Sequence, residues 1–383
     1  LEKCGGTALY GDDLYVEEML HAAVLRSPHP HARILSVDTS MARKMEGVHA
    51  VLTDEDVPHN RFGLLAPDQP VLAEGKVRCV GEAIVAIAAN SRKLADAALR
   101  KVRIKWEVLP AILDPRDSLE KDAPYIQDLV PEGQVIKDFG KNIFSRIHID
   151  RGDVESAFES SFVVVEREFT TQTVHQGYIE PHAATAHWNQ DGQLTVWAST
   201  QGSFSAREQT SEVLQVPISK VKVIPCEIGG GFGGKIPVYL EPVAAVLSRK
   251  CGRPVKIQMT RDGVFEGTGP TPASFMRIKL GVDETGKMTA GEAWLAYDTG
   301  AFPGGVIGPG VMCVFSCYDI EHANIDGYDV CVNKPWTKAY RAPGSTHVAY
   351  AIESVVDELA EKLEMDPIDL RLLNAAREGT KRV

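Results

Sequence analysis

The sequence lacks the features that place a protein in a membrane or on nucleic acid. No apolar run reaches the roughly 18 residues that a membrane-spanning helix needs, and the N-terminus has no basic and apolar stretch of the signal-peptide type. Positive charge is scarce: 41 Lys and Arg stand against 52 Asp and Glu, so the net charge is -11. This balance disfavours a general binder of nucleic acid or anionic membranes. We expect a cytoplasmic protein, with periplasmic export as the alternative because the chain starts at Leu1 without methionine.

Cysteine is present, but its spacing is that of no common metal or disulfide framework. The seven cysteines are odd in number and no two form a CxxC pair, which disfavours disulfides and zinc and favours a reducing compartment. The spacing of a plant-type [2Fe–2S] cluster is missing, and no flavin-binding segment is evident. With 44% hydrophobic and 24% charged residues, the composition is typical of an ordinary globular protein.

The order of predicted elements indicates an α+β protein. We place a first domain at residues 1–115, a Pro-, Asp- and Lys-rich linker at 116–140, and a second domain at 141–383. A helix is predicted over 91–102 with Ser91 as its N-cap. β-branched and apolar runs predict strands of the first domain at 19–27, 49–53, 82–90 and 102–109.

The second domain is predicted to combine strands with two C-terminal helices. A hairpin is predicted at Asp191-Gly192. Helices are predicted from about 346 to 363 and from Asp366 onward, with Pro367 at the first helical position. Extended segments are predicted at 162–172, 185–199, 219–228, 254–262, 276–301 and 323–333. We expect the strands around residue 230 to be antiparallel and linked by hairpins.

One stretch, CEIGGGFGGKI at 226–236, places five glycines between a predicted strand and a predicted helix. Gly229 to Lys235 fits the GxxxxGK opening of a nucleotide-triphosphate loop, which needs Ser or Thr next to ligate magnesium. Ile236 follows instead and offers no oxygen. The same glycines fit the dinucleotide fingerprint GxGxxG, with Asp262 at a strand end as the ribose acid. The expected antiparallel surroundings disfavour that second reading.

Two further readings of the glycine stretch stay open. Glycine amides can approach an anionic or planar cofactor closely, because no side chain stands in the way. The simpler reading is a glycine-rich bend around a core Phe232. Two other segments bear on the choice: STQGSF, which places Gln201 after a strand, and KAYRAPGS, which places Arg341 ahead of a helix. Taken alone, each is more often a satisfied loop residue or a structural brace than a ligand-binding group.

Together these segments carry a resemblance. The order TQ, GGGFGGK, YRAPG, followed by ESVVDELAEKLEMDPIDLRLLNAAREG, resembles the molybdenum-binding large subunit of the xanthine dehydrogenase/aldehyde oxidoreductase family. GTALYGDDL, LHAAVLRSPHPHARI and VRCVGEAIVAIAAN are similar to that family's α/β hammerhead domain, and RGDVESAF and IEPHAATA fit its first molybdopterin-binding domain. The resemblance covers almost the whole chain.

The resemblance implies a cofactor and the residues that hold it. Molybdenum would be chelated by molybdopterin, in its simple form or as the cytosine dinucleotide, and would take no obligatory protein side chain. Gln201 would hydrogen-bond an oxo ligand of the metal, and the backbone around Phe232 and Arg341 would line the metal from outside its coordination sphere. The full set implied for the cofactor is Gln201, Gly202, Gly230, Gly231, Phe232, Gly233, Arg341 and Ala342. In this view the glycines admit the metal–pterin centre.

The resemblance also implies a reaction class, oxidative hydroxylation with oxygen from water. The substrate pocket would include Ile236, Pro343 and Pro309. Xanthine-oxidising members place Glu at position 236 and an aromatic residue at 343, and carbon monoxide dehydrogenases place Cys at 342, where this chain has Ala342. Purines and carbon monoxide are therefore disfavoured, and an aldehyde or an N-heteroaromatic or other aromatic substrate is favoured. The segment 298–310 is expected to line the substrate channel.

The partners follow from what the family has and this sequence does not. The family's general base is a Glu in a GxGE-like segment, which is absent here; we therefore expect half of a split large subunit, or a truncated one, that is inactive alone. The expected partners are a second molybdopterin-domain subunit, an iron–sulfur subunit with [2Fe–2S] and an FAD subunit. The alternative is a non-catalytic cofactor-binding or assembly subunit.

Overall fold

The computed structural model describes residues 1–63, 68–120, 122–126 and 142–381. Most of the predicted linker, including 127–140, lies outside the described residues. The strands are β1 Leu20–Arg26, β2 Ala32–Asp38, β3 Val48–Leu52, β4 Lys76–Val77, β5 Ala83–Ala89, β6 Arg103–Val108, β7 Ile143–Arg151, β8 Val163–Thr171, β9 Ala183–Trp188, β10 Leu194–Ala198, β11 Val221–Pro225, β12 Val255–Gln258, β13 Ser274–Val282, β14 Met288–Gly300 and β15 His322–Cys331.

The helices are mostly short, and their ends carry the expected caps. The hydroxyl of Ser91 accepts from the Leu94 N–H, and the carboxylate of Asp366 accepts from the Ile368 N–H, so both predicted N-caps are confirmed. The helices are α1 Glu2–Gly5, α2 Ser40–Arg43, α3 Arg92–Leu99, α4 Pro115–Leu119, α5 Val154–Glu159, α6 Ser203–Leu214, α7 Glu241–Cys251, α8 Arg261–Gly267, α9 Ile307–Cys313, α10 Ser345–Lys362 and α11 Pro367–Asn374. Among the described helices, none is both long and apolar enough to cross a bilayer.

The chain divides into two units, and neither is continuous in sequence. The first unit comprises 1–111, 175–270 and 333–336, and the second comprises 112–174, 271–332 and 337–383. The predicted domain boundaries at 115 and 141 stay a prediction.

The first unit is built on a seven-stranded sheet of order β11-β10-β9-β12-β1-β5-β3, beside a three-stranded sheet of order β4-β2-β6. Helices α6 and α7 pack on one face of the larger sheet, where Val196, Val213 and Leu247 are fully buried. Helix α3 packs against β1 and β5 in a separate apolar cluster. The sheet therefore has buried residues on both faces, which explains its near-continuous apolar strands.

One prediction about this sheet is wrong. Strands β9 and β10 form the predicted antiparallel hairpin, but β10 pairs with β11 in parallel, with Leu194 opposite Val221. A parallel pair needs a crossover, and α6, which was not predicted, provides it. Asp262 also differs from its prediction, since it lies in the first turn of α8 rather than at a strand end.

The second unit is a five-stranded sheet of order β7-β15-β14-β13-β8. Helices α9, α10 and α11 cover it through one apolar cluster that includes Ile352, Val355 and Leu359 of α10. These three residues belong to the face predicted from the helical period, which is confirmed. Strands β13 and β14 form a hairpin whose turn is closed by the Asp283 N–H donating to the Lys287 carbonyl.

Candidate functional site

Two parallel strands of the first unit bring two of the singled-out segments together. Strand β10 ends at Ala198 and leads through 199–202 into α6, and β11 ends at Pro225 and leads into the glycine stretch 226–236. Carboxyl ends of neighbouring parallel strands lie at the same edge of a sheet, where ligands of open α/β sheets commonly bind. Gln201 therefore lies against the glycine stretch.

The side chain of Gln201 is held by the backbone of that stretch. Its carboxamide oxygen accepts from the Gly233 N–H at 3.0 Å and from the Lys235 N–H at 3.2 Å. Its backbone N–H donates to the Lys235 carbonyl at 2.8 Å. With the oxygen committed to two donors, the carboxamide nitrogen is the end that remains for a ligand, and it has no acceptor in the part of the chain that the structure describes.

Several glycines in these two segments are required by the chain's own packing. A Cβ on Gly231 would lie 2.5 Å from the Gln201 Oε1, and one on Gly229 would lie 2.6 Å from the Glu180 Cβ. A Cβ on Gly202 would lie 2.8 Å from the Ile236 carbonyl oxygen. The room cleared at these three positions is taken up by protein atoms. Any part the glycines play toward a cofactor stays a prediction.

Phe232 has a backbone conformation that glycine would adopt more readily. Its φ is +51°, in the left-handed region, and its side chain is 47% exposed. Gly230 and Gly233 on either side have φ of +96° and +101°. Non-glycine residues in this region cost about 1–3 kcal/mol and cluster at functional sites. The half-exposed ring contradicts the reading of Phe232 as a core residue.

The bend also presents unused hydrogen-bond donors. Within the described residues, the N–H groups of Gly230, Gly231 and Phe232 donate to no acceptor, whereas those of Gly229, Gly233, Gly234 and Lys235 all do. Gly231 is a buried residue, and buried backbone N–H groups without an acceptor are uncommon in folded proteins. Three consecutive ones beside the Gln201 carboxamide make a donor set suited to an anionic or oxygen-rich ligand.

A buried ion pair, which the sequence reasoning missed, closes the two ends of the bend. The Glu180 carboxylate accepts from the Gly229 N–H at 2.7 Å and lies 2.6 Å from the Lys235 Nζ. The Lys235 side chain is fully buried, and its ammonium lies 5.0 Å from the centre of the Tyr178 ring. Burial lowers the pKa of Lys235 although Glu180 acts to raise it.

This pairing bears on the nucleotide readings of the glycine stretch. The Lys of a nucleotide-triphosphate loop must reach phosphates, but the Lys235 ammonium is directed at Glu180. Helix α7 begins only at Glu241, so the glycines do not lead directly into a helix N-terminus as both nucleotide motifs require. Both readings are therefore disfavoured.

Behind the ion pair lies a row of neutral hydrogen-bonding groups. The Tyr178 hydroxyl lies 2.7 Å from the His182 Nε2, and the Thr268 hydroxyl lies 2.8 Å from the His175 Nε2. Burial lowers the pKa of His182 well below its usual value and that of His175 to about 4. Both imidazoles are thus neutral at pH 7, and they add no positive charge beside Lys235.

The other predicted site residues belong to the second unit. Arg341 and Ala342 are exposed in the turn before α10, and Ala342 has a φ of +61°, again in the left-handed region. The turn packs on α9, the helix that carries Pro309. A Cβ on Gly344 in this turn would lie only 2.2 Å from the carbonyl oxygen of Val306, the N-cap residue of α9. The buried Tyr297 hydroxyl donates to the Gly344 carbonyl at 2.9 Å. Pro343, in this turn, and Pro309 therefore lie on neighbouring elements.

A buried carboxylate supports the start of α9 from the sheet. Asp329 of β15 accepts from the Ile307 N–H at 3.3 Å, and a Cβ on Gly305 would lie 2.1 Å from its Oδ1. Burial raises the pKa of Asp329 to about 7. The segment 298–310, predicted to line a substrate channel, thus contains the end of β14, a glycine turn and the first half of α9. Its channel role stays a prediction.

The described residues contain no group of three or more His, Cys, Asp or Glu that could hold a metal ion. The donors that do exist, the Gln201 carboxamide and the amides of the bend, suit the oxygen atoms of a metal–oxo centre.

Comparison with known proteins gives matches over most of the chain. A family model described as "Molybdopterin cofactor-binding domain" matches residues 135–375, and one described as "Aldehyde oxidase and xanthine dehydrogenase, a/b hammerhead domain" matches residues 5–110. Among solved structures, the aldehyde oxidoreductase from Desulfovibrio gigas superimposes with a TM-score of 0.93 at 29% identity. That similarity covers 100% of this chain and 43% of the other.

Two curated relatives differ in the share of their own length that this chain spans. A probable xanthine dehydrogenase subunit of Bacillus subtilis is 37% identical over 97% of this chain, which spans 49% of that relative. The "Nicotinate dehydrogenase large molybdopterin subunit" of Eubacterium barkeri is 35% identical over 100% of this chain, which spans 88% of it. The predicted fold, a hammerhead domain followed by a molybdopterin-binding domain, is confirmed. This chain belongs to the molybdopterin-binding subunits of the xanthine dehydrogenase family.

Proposed function

We propose that this chain is the molybdopterin-binding subunit of a molybdenum hydroxylase, and that its first unit holds the oxo side of the metal centre through Gln201 and the bend 229–235. The observation that carries the proposal is the fixed orientation of the Gln201 carboxamide. Two backbone N–H groups hold its oxygen, so its nitrogen is directed away from them, as a donor to an oxo ligand must be.

The residues present fit such a cofactor. The donors of Gly230, Gly231 and Phe232 have no acceptor within the described chain, and the left-handed Phe232 places a half-exposed ring beside them. The bound cofactor would supply hydroxylation of an electron-poor carbon with oxygen from water. The chain's own part is to orient the cofactor by hydrogen bonds from a preorganised backbone. Arg341 and Ala342 keep their predicted role in lining the cofactor.

The substrate proposal rests on the side chains at positions 236 and 342. The Ile236 side chain offers no group that could hydrogen-bond a purine, and the Ala342 side chain offers no thiolate for a copper ion. We therefore propose an aldehyde or an N-heteroaromatic or other aromatic substrate, even though one relative carries a xanthine dehydrogenase name. Pro309 and Pro343 would contribute apolar surface to the pocket.

The remaining parts of the enzyme would come from other segments or chains. The proposal places the general base, a Glu, in a second molybdopterin domain, and places [2Fe–2S] and FAD on partner subunits. The cofactor would be molybdopterin, in its simple form or as the cytosine dinucleotide. The seven cysteines of the sequence are scattered and form no CxxC pair, which suits a reducing compartment such as the cytoplasm.

The test is Gln201→Glu in the complex purified with its natural partners. Glutamate keeps the acceptor for the Gly233 and Lys235 N–H groups but donates nothing and repels an oxo ligand. We expect the affinity for the cofactor to fall about tenfold or more, since a hydrogen bond to a charged group contributes about 1.5–3 kcal/mol, and molybdenum per chain in the purified complex to fall with it. Gln193→Glu, at an exposed position, is the matched control and should keep full metal content.

Two outcomes would count against the proposal. Unchanged molybdenum content in Gln201→Glu would exclude Gln201 as a ligand to the cofactor. Wild-type complex that contains stoichiometric molybdenum and iron but oxidises neither aldehydes nor N-heteroaromatic compounds would instead favour the non-catalytic assembly role.

A further inference from the structure

We propose that Glu180 is a positioning residue: its carboxylate locks both ends of the glycine bend and, through Lys235, fixes the orientation of Gln201. The role of this support in cofactor binding rests on the proposed function. Its geometry is independent of any cofactor.

The first step is that Glu180 joins the two ends of the bend. One carboxylate oxygen receives both the Gly229 N–H, at the start, and the Lys235 ammonium, at the end. The Glu180 N–H in turn donates to the Gly229 carbonyl at 3.1 Å. The other carboxylate oxygen lies 3.4 Å from the Gly11 N–H. One side chain thus connects segments that are far apart in sequence.

The second step is that Lys235 depends on this partner. Its side chain is fully buried, and among the described residues Glu180 is the one carboxylate within 4.0 Å of its ammonium. The other charged or titratable groups near Lys235 are Arg261, which lowers the pKa of Lys235, and the neutral Tyr178 and His182. Beside Glu180 lies Cys226, whose pKa is raised by burial and by the Glu180 charge. A buried charge that loses its partner is strongly destabilising. Without Glu180, the Lys235 ammonium should leave its place or lose its proton.

The third step is that Lys235 transmits this constraint to Gln201. The Lys235 N–H donates to the Gln201 carboxamide oxygen, and the Lys235 carbonyl accepts from the Gln201 N–H at 2.8 Å and the Thr200 hydroxyl at 3.3 Å. A displaced Lys235 backbone would therefore release the Gln201 side chain to other rotamers. The carboxylate of Glu180 makes no hydrogen bond to Gln201 within the described chain, which makes Glu180 a support for the site rather than a ligand.

The experiment compares Glu180→Gln, Lys235→Met and the double variant with wild type, using the full chain. Glutamine keeps an acceptor for the Gly229 N–H but removes the charge. The measurement is amide hydrogen exchange of the peptide that covers 226–236, together with thermal unfolding between pH 7 and 10. We expect exchange in this peptide to rise roughly tenfold in Glu180→Gln. Glu74→Gln, which breaks the exposed pair with Arg61, should leave it unchanged.

The pH dependence separates a positioning ion pair from general loss of packing. Loss of Glu180 lowers the pKa of Lys235 further in the folded state, so the unfolded state binds the proton more tightly. Stability then rises with pH between the folded and the unfolded pKa of the lysine. The Tm deficit of Glu180→Gln should therefore be largest at pH 7 and shrink toward pH 10. In the double variant, which has no buried ammonium, this dependence should vanish while exchange in 226–236 stays fast.

Unchanged exchange in Glu180→Gln, or a Tm deficit that is the same at every pH, would overturn the inference. So would a double variant whose bend exchanges as slowly as wild type, because the pair would then be dispensable for positioning. These readouts need no cofactor. They can therefore fail while Gln201→Glu still loses molybdenum, or succeed when the molybdenum proposal fails.

Discussion

A Cβ atom on Gly231 would lie 2.5 Å from the carboxamide oxygen of Gln201, so the side chain of one residue occupies the space that the other leaves open. Gly231→Ala should therefore displace Gln201 and break its bonds to Gly233 and Lys235. We expect a loss of about 1–3 kcal/mol in unfolding free energy, measured by chemical denaturation. Gly5→Ala, where nothing lies within 4 Å of the added Cβ, is the control. Equal stability of the two variants would contradict this packing.

We expect the left-handed conformation of Phe232 to destabilise the folded chain. Asparagine tolerates the left-handed region better than phenylalanine, so Phe232→Asn should leave the unfolding free energy unchanged or raise it by about 1 kcal/mol. The same variant should lower molybdenum content in the assembled complex. Phe204→Asn removes an exposed ring in α6 and controls for lost aromatic surface. A loss of several kcal/mol in Phe232→Asn would show that the ring packs into the core.

Asp329 should make stability depend on pH near neutrality. Its folded pKa of about 7 lies above the usual 3.8, so between these values the folded state binds the proton more tightly. Unfolding free energy should therefore fall as pH rises from about 4 to 7. Asp329→Asn should flatten this slope and gain up to about 4 kcal/mol above pH 7. Thermal unfolding across this range, with the exposed Asp191→Asn as control, checks the prediction; an unaltered slope in Asp329→Asn would refute it.

The buried Tyr297 hydroxyl should stabilise the turn before α10. Tyr297→Phe leaves the Gly344 carbonyl without this donor, which should cost about 1–3 kcal/mol and speed amide exchange at 342–346. Tyr350→Phe, on an exposed part of α10, is the matched control. If the two variants unfold alike, the hydrogen bond contributes nothing measurable.

Elements whose signals are local could be predicted well from the sequence. Ser91 and Asp366 cap the helices that they were predicted to cap, and the Asp191-Gly192 hairpin forms as expected. Helix α6 was missed because no side chain caps it at Gly202 and it buries polar residues such as Thr210 and Gln209. The parallel pairing of β10 with β11 was missed because strand periodicity does not specify the neighbouring strand.

In the candidate site too, residues with a local sequence signal could be singled out and residues without one could not. Gln201, Phe232 and Arg341 were singled out through the resemblance of their motifs, and their roles toward a cofactor stay a prediction. Glu180 was not singled out, because its ion pair with Lys235 joins residues 55 positions apart and leaves no periodic signal. That the glycines make room for Gln201 and Glu180 could likewise be seen only in three dimensions.

The parallel pairing of β1 with β12, where Leu20 faces Val255, has a consequence for how the protein is made. During synthesis, β1 leaves the ribosome long before β12. One edge of β1 therefore has no partner strand to hydrogen-bond while more than half of the chain is synthesised. Such a delay exposes an apolar strand edge to other nascent chains. Production in cells should therefore depend on holdase chaperones, and gene fragments that stop before β12 should yield inclusion bodies.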